Sequence, residues 1–231
     1  MHNMYKFITL FLFILIPLFS FSNKEKKMTV VELIESSEDT LKKLEKNIDI
    51  KNFREYLAKS RAILIFPEIY EGSFLFGAKG GNGVLIIKRG QFFTGPFFYS
   101  LGGISFGLQA GAKSGKVVMT IMTNRGLKSI LKERVKLGVD VDAVVVEGGV
   151  GYSAESTLRL ADVYSFSDNK GLFLGTSIEG SYVQPRNDLN EIVHGKKLDS
   201  DDILRITSSK EEINDLSKII SRITKNAKKT N

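Results

Sequence analysis

The sequence predicts an α+β fold: a mostly antiparallel, twisted sheet forming a sandwich or barrel, with one helix inserted mid-sheet and helices at both termini. Three observations predict it. Apolar residues recur at helical spacing before about residue 60 and again beyond Pro185, with short strand-like runs between. Tight clusters rich in glycine and asparagine separate those runs, and such turns join antiparallel strands. A hydrophobic content of 42% in 231 residues is enough for a core in one domain and too low for a multi-span membrane protein.

The elements follow in order. "MHNMYKFITLFLFILIPLFSFSNKEKK" sets Lys6 ahead of an apolar run over 7–21, broken by Pro17, with small residues at Ser20 and Ser22. The run is shorter than the ~20 residues that span a bilayer. Residues 1–22 therefore read as a cleaved secretory signal peptide, and the compartment as the periplasm or cell exterior. Residues 23–59 read as a helical segment, in which Val30, Val31, Leu33, Ile34, Leu41, Leu44 and Ile48 form the apolar stripe. Lys42, Lys43 and Lys46 lie in its last turns, where they complement the helix dipole. A short helix over 52–59 follows.

Residues 60–195 read as the β-rich domain. "AILIFP" is a strand ended by Pro67, and "GSFLFGAKGGNGVLIIKRG" is two strands joined at Gly80-Gly81-Asn82-Gly83. Further strands follow, with a turn at 113–115. In "NRGLKSILKERVKLG", Asn124 caps a helix with Leu127, Ile130 and Leu131 on its apolar face and Gly138 beyond its end. Sheet returns in "VDVDAVVVEGG" and in "RLADVYSFSDNKGLFLGTSIEGSYV", with a turn at Asp168-Asn169-Lys170-Gly171. Residues 196–231 read as a C-terminal helical extension. There Ser208 and Glu211 form a capping box ahead of the stripe Ile213, Leu216, Ile219, Ile220 and Ile223.

The glycine-rich run "LGGISFGLQAGAKSG" is the unusual feature. Glycine costs a strand about 0.5–1 kcal/mol relative to alanine, so several together imply a geometric demand. By strand alternation, Ile104, Phe106, Leu108 and Ala110 face one way, and Gly103, Ser105, Gly107, Gln109 and Gly111 the other. After Gly171 the design repeats: Leu172, Leu174 and Ile178 against Gly175, Ser177 and Glu179. A bare face admits close packing, sharp coiling, or a ligand groove lined by Ser105, Gly107, Gln109, Ser177 and Glu179.

Catalytic chemistry is poorly represented. The only histidines are His2, in the signal segment, and His194, beside a glycine in an expected loop, so neither a His-based triad nor a His cluster for a metal is available. Cysteine is absent, which removes disulfides and thiolate metal sites. Asp140 and Asp142 fall on one face of an expected strand near Glu147, too few oxygens for a Ca²⁺ or Mg²⁺ loop. "GGVGYSA" has dinucleotide-motif spacing but lacks the βαβ unit, and "GAKSGKV" fails as a phosphate loop. No catalytic residue, cofactor, metal or nucleic-acid partner is expected.

The net charge of +7 and a pI near 9.4 favour acidic surfaces. Basic and aromatic residues mix in "IIKRGQFFTGPFFYS": Lys88 and Arg89 precede Phe92, Phe93, Phe97 and Phe98. Such a loop can dip rings into a membrane interface, or be a hairpin whose phenylalanines return to the core.

Taken together, "AKSRAILIFPEI", "GGNGVLI", "LGGISFGLQAGAKS", "MTNRGLKSIL", "LGVDVDAVVVEGGVG", "ADVYSFSDNKGLFLGTSIEGS" and "NDLNEIVHG" occur in the order found in the SYLF domain, and the chain resembles that family over residues 58–195. Val193-His194 departs from the aromatic pair that the family often carries there. The resemblance implies lipid binding, partly through a basic amphipathic N-terminal segment, and in some eukaryotic members actin binding. For an exported protein it implies a non-enzymatic phospholipid binder at an envelope membrane, or alternatively a structural or protein-interaction module with an envelope protein as partner. The residues expected to meet lipid are Lys24, Lys26, Lys27, Lys42, Lys43, Lys46, Lys88, Arg89 and the four phenylalanines.

Overall fold

The structure is a computed structural model that describes residues 23–47, 50–74, 76–106, 111–146, 161–167, 178 and 180–227. The expected signal peptide, Ile48, Gly107, Leu108, Gln109, Ala110, Glu147, the "GGVGYSA" run, the 168–171 turn, Ser177 and Glu179 lie outside the described residues.

The chain is α+β, as its periodicity predicts. Two helices, α1 (Asn23–Asn47) and α2 (Ile50–Lys59), precede four long strands: β1 (Ala62–Phe74), β2 (Phe76–Arg89), β3 (Phe92–Phe106) and β4 (Gly111–Ile121). Then come α3 (Asn124–Ile130), β5 (Val135–Lys136), β6 (Ala143–Val146), β7 (Val163–Ser167) and β8 (Tyr182–Pro185). The helices α4 (Asn187–His194), α5 (Ser200–Arg205) and α6 (Asn214–Ala227) close the described chain. The strands form one eight-stranded sheet, β5-β8-β3-β2-β1-β4-β7-β6, curled into a half-barrel. All its pairs are antiparallel except β6 with β7.

The order β3-β2-β1-β4 is that of a Greek key. Only four residues separate Phe106 from Gly111, so the two strand ends lie within about 18 Å of each other. Across a flat sheet that gap already takes about 14 Å, and curling shortens it.

Strand alternation sorts the core onto two faces. Leu64, Phe66, Leu85, Ile87, Phe97, Tyr99, Val117 and Met119 pack with α3, α5 and the β5–β8 region. Ile63, Ile65, Val84, Ile86, Phe93, Phe98, Val118 and Phe166 pack beneath α1, α2, α4 and α6. The helical stripes fit this arrangement: Val30, Ile34, Leu41 and Leu44 of α1 are buried, as are Ile213, Leu216, Ile219, Ile220 and Ile223. Val31, expected in the first stripe, is 52% exposed.

Several local expectations are corrected. Gly80-Gly81-Asn82-Gly83 is not a hairpin turn but the interior of β2, paired with β3 from Gly102 to Tyr99. Residues 113–115 are not a turn either; they lie in β4 against β1. Pro67 does not end its strand. β1 runs through it, and the register against both neighbours slips by one residue there. A bulge tolerates proline because the ladder asks for no N–H at that point.

The bulge explains the glycines beside it. A Cβ at Gly83 would lie 2.6 Å from the Ile65 carbonyl oxygen and 2.6 Å from the Phe66 ring, and one at Gly81 would strike the Glu68 carbonyl. The opposite face, that of Ile104, is open at this end of the sheet. No atom lies within 4 Å of a Cβ placed at Gly72, and the neighbouring Tyr70 and Ile104 are 61% and 74% exposed. Ile104, expected on the buried side, thus faces solvent.

The inserted helix is shorter than its pattern suggests. Thr123, not Asn124, is the N-cap, its hydroxyl accepting from the Gly126 N–H at 2.8 Å. The helix stops at Ile130, because Val135 and Leu137 alternate as strand residues and are fully buried. Asp140 lies in the following turn, accepting from the Lys136 N–H at 2.7 Å, and Asp142 precedes β6. The Ser208–Glu211 capping box does not form; Glu211–Ile213 is a 3₁₀ turn without a side-chain cap. The capping box of this region belongs to Asp199 and Asp202 at α5. His194 is the last residue of α4 rather than a loop residue, because Gly195 takes the left-handed conformation (φ 75°) that closes the helix.

Candidate functional site

The expected basic and aromatic residues separate into two groups. In the first, burial or backbone contacts consume the side chain. Phe97 and Phe98 are fully buried and Phe93 nearly so, which corrects their expected role as membrane-facing rings. Period 2 places Phe97 and Phe98 on opposite faces of the sheet, and each face is covered by its own core. Lys88 donates to the Ala58 carbonyl at 2.8 Å, and Arg89 to the Leu204 carbonyl at 2.8 Å. These two cations tie the end of β2 to α2 and α5.

The second group stays at the surface. Lys43 and Lys46 are exposed on α1, and Lys42 is half-exposed, with Asp39 at 3.3 Å and Glu38 at 3.8 Å. Helix α6 lies alongside α1 because its isoleucine stripe enters the same core. Arg222 joins the two helices through Glu45 at 2.8 Å, and Glu45 also meets Arg54 of α2 at 3.6 Å. Lys218 is exposed and paired with Asp215 at 2.8 Å. That pairing raises the Lys218 amine and lowers the Asp215 carboxyl.

The β2–β3 turn sits against α6. Gly90 supplies the positive φ (63°) that the turn needs, and Phe92 emerges from it 49% exposed. Between turn and helix runs an open groove of about 870 Å³, bordered by Gln91, Phe92, Ser217, Lys218, Arg222 and Lys225. The Ser217 hydroxyl is buried there without a hydrogen-bond partner. The hairpin aromatics are visible in the sequence; their meeting with the cations of α6 is not, because Phe92 and Lys218 are far apart along the chain.

The expected glycine groove is answered only in part. Ser105 lies in β3, whereas Gly107, Gln109, Ser177 and Glu179 are outside the described residues. Lys79 crosses Gly103: a Cβ there would lie 2.8 Å from the lysine Cε, toward the end of a flexible side chain. Lys79 is nearly buried, and desolvation lowers its amine, with Glu71 opposing that shift.

Two polar clusters had no local signal. Asp162 receives Arg125 Nη2 at 2.8 Å and Nε at 3.0 Å, together with the Thr123 hydroxyl. Burial pushes its carboxyl up, but these partners outweigh burial and hold it below the usual range. Arg186 grips Asp188 at 2.9 Å and Asn82 at 2.6 Å. His194 lies 2.8 Å from the Pro96 carbonyl oxygen and stacks on Phe97, and burial lowers its imidazole; this is a packing role. Among the described residues no group of His, Asp and Glu is arranged to hold a metal ion, and no helix is long and apolar enough to cross a membrane.

Comparison with known proteins gives the geometry a family context. Residues 102–223 match the family model described as "Ysc84: Las17-binding protein actin regulator". The chain is similar to Protein YSC84 of Saccharomyces cerevisiae, 29% identical over 157 residues, covering 64% of this chain and 33% of that protein. It is also similar to LAS seventeen-binding protein 3 of the same organism, 29% identical over 149 residues (61% and 32% covered). SH3 domain-containing YSC84-like protein 1 of Homo sapiens is 26% identical over 153 residues (64% and 44% covered). The match therefore spans a third to under half of the length of these relatives.

Proposed function

Because this chain belongs to the Ysc84 (SYLF-domain) family, we propose that it is a non-enzymatic binding module, exported to the cell envelope, whose target is an anionic phospholipid surface. One observation carries this reading: the outward cations of α1 and α6 lie on adjoining helices of a single layer, held side by side by Arg222 and Glu45. Lys42, Lys43, Lys46, Lys218 and Lys225 thereby act together although they come from opposite ends of the chain. A basic residue in contact with such a surface contributes about 1 kcal/mol, and less with distance from it. Export is inferred from the apolar run ahead of α1.

Co-sedimentation with phosphatidylglycerol and phosphatidylcholine vesicles tests the reading. Binding should require the anionic lipid and weaken as salt shortens the reach of the charges. Binding indifferent to lipid charge and salt would overturn it. A second reading, a protein-interaction module of the envelope, is favoured by similarity to LAS seventeen-binding protein 3. Recovery of the protein with an envelope protein and without lipid would support that alternative.

A further inference from the structure

We propose that the groove between α6 and the β2–β3 turn seats a single anionic phospholipid headgroup, with Lys218, Arg222 and Lys225 around the phosphate and the Phe92 ring reaching toward the acyl chains. The assignment rests on the phospholipid reading above and names its site. It moves the principal contact from the N-terminal helix, where sequence placed it, to the C-terminal one.

Charge is the first argument. Lys218, Ser221, Arg222 and Lys225 recur at intervals of three and four, so they share one face of α6. Glu45 is largely covered and divided between Arg54 and Arg222. Asp215 answers Lys218, and Lys225 has no ion pair among the described residues. The groove is left net positive and complementary to a phosphate.

Shape and polarity are the second. Ser217 and Ser221 line the groove between the cations and keep its wall polar. The volume of about 870 Å³ falls within the ~300–1,000 Å³ usual for small-molecule sites. Phe92 is the exception among the hairpin aromatics, its ring left in water beside the cations. An aromatic ring next to basic groups suits the boundary between headgroups and acyl chains. An acidic protein segment would use the cations but would not call for a ring projecting beyond them.

The chain contains no tryptophan, so Phe92→Trp introduces a single fluorophore at the edge of the groove. With phosphatidylglycerol vesicles its emission should shift to the blue, and with phosphatidylcholine it should not. In parallel, K218Q/K225Q should weaken vesicle binding about 25-fold, about fivefold per cation. K43Q/K46Q on α1 should cost clearly less. Both groove lysines are exposed, and far-UV circular dichroism checks that each variant is folded. If the wild-type protein binds anionic vesicles but the emission stays unchanged, or the double variant binds as tightly as wild type, the groove assignment is overturned and the phospholipid reading stands. Failure of the wild-type protein to bind anionic vesicles overturns both.

Discussion

A pair of glycine substitutions separates a glycine required by close approach from one that merely lies in a strand. At Gly83 an added methyl would sit 2.6 Å from the Ile65 carbonyl oxygen and 2.6 Å from Phe66 Cδ1. Ordinary contact begins near 3.4 Å, so β1 and β2 would have to part by several tenths of an ångström at the bulge. The obstructing oxygen is backbone and cannot rotate away. Overpacking of this kind costs about 1–3 kcal/mol, or a fall in Tm of roughly 2–12 °C for a chain of this size. Gly72→Ala is the control, since nothing lies within 4 Å of its Cβ. Relief of the glycine penalty should stabilise that variant by about 0.5–1 kcal/mol. Urea or thermal unfolding followed by circular dichroism reads both. Equal effects at the two positions, or a neutral Gly83→Ala, would refute the claim that these glycines exist for the β1 bulge.

Other expectations follow from the same contacts. Ile220→Ala should lose about 2–5 kcal/mol in denaturant titration, because the side chain is fully buried beneath the helical layer. Phe98→Ala should likewise reduce stability, and its vesicle affinity should track the folded fraction alone. Asp162 has a depressed folded carboxyl, so its contribution is present above the ordinary aspartate value near ~3.9 and is lost as pH falls through the folded value. Asp162→Asn should therefore lower stability at neutral pH and flatten the acid limb of a stability–pH curve. His194 also has a depressed folded value, but as a base: the unfolded chain takes up its proton first as pH drops below about 6.5. Its stabilising effect is complete above that pH and declines below it, and His194→Gln should remove that decline.

The amino-acid sequence by itself determined the class of the fold, the helical stripes at both ends and the family. These are carried by periodicity and by motif order, which survive without knowledge of who packs on whom. Val30, Ile34, Leu41 and Leu44, or Ile213 to Ile223, can each be read from spacing within one element. Tertiary structure alone decided the meaning of the glycines. Gly80-Gly81-Asn82-Gly83 has hairpin chemistry, yet it is strand, and the bulged β1 passes so close to Gly81 and Gly83 that no side chain fits at those two positions. It also decided which phenylalanines are available: Phe92, Phe93, Phe97 and Phe98 look alike in sequence, and only the coverage of both sheet faces leaves Phe92 exposed. Asp162 with Arg125, and Phe92 with Lys218, come together only when distant strands and helices dock, a juxtaposition for which local sequence holds no signal.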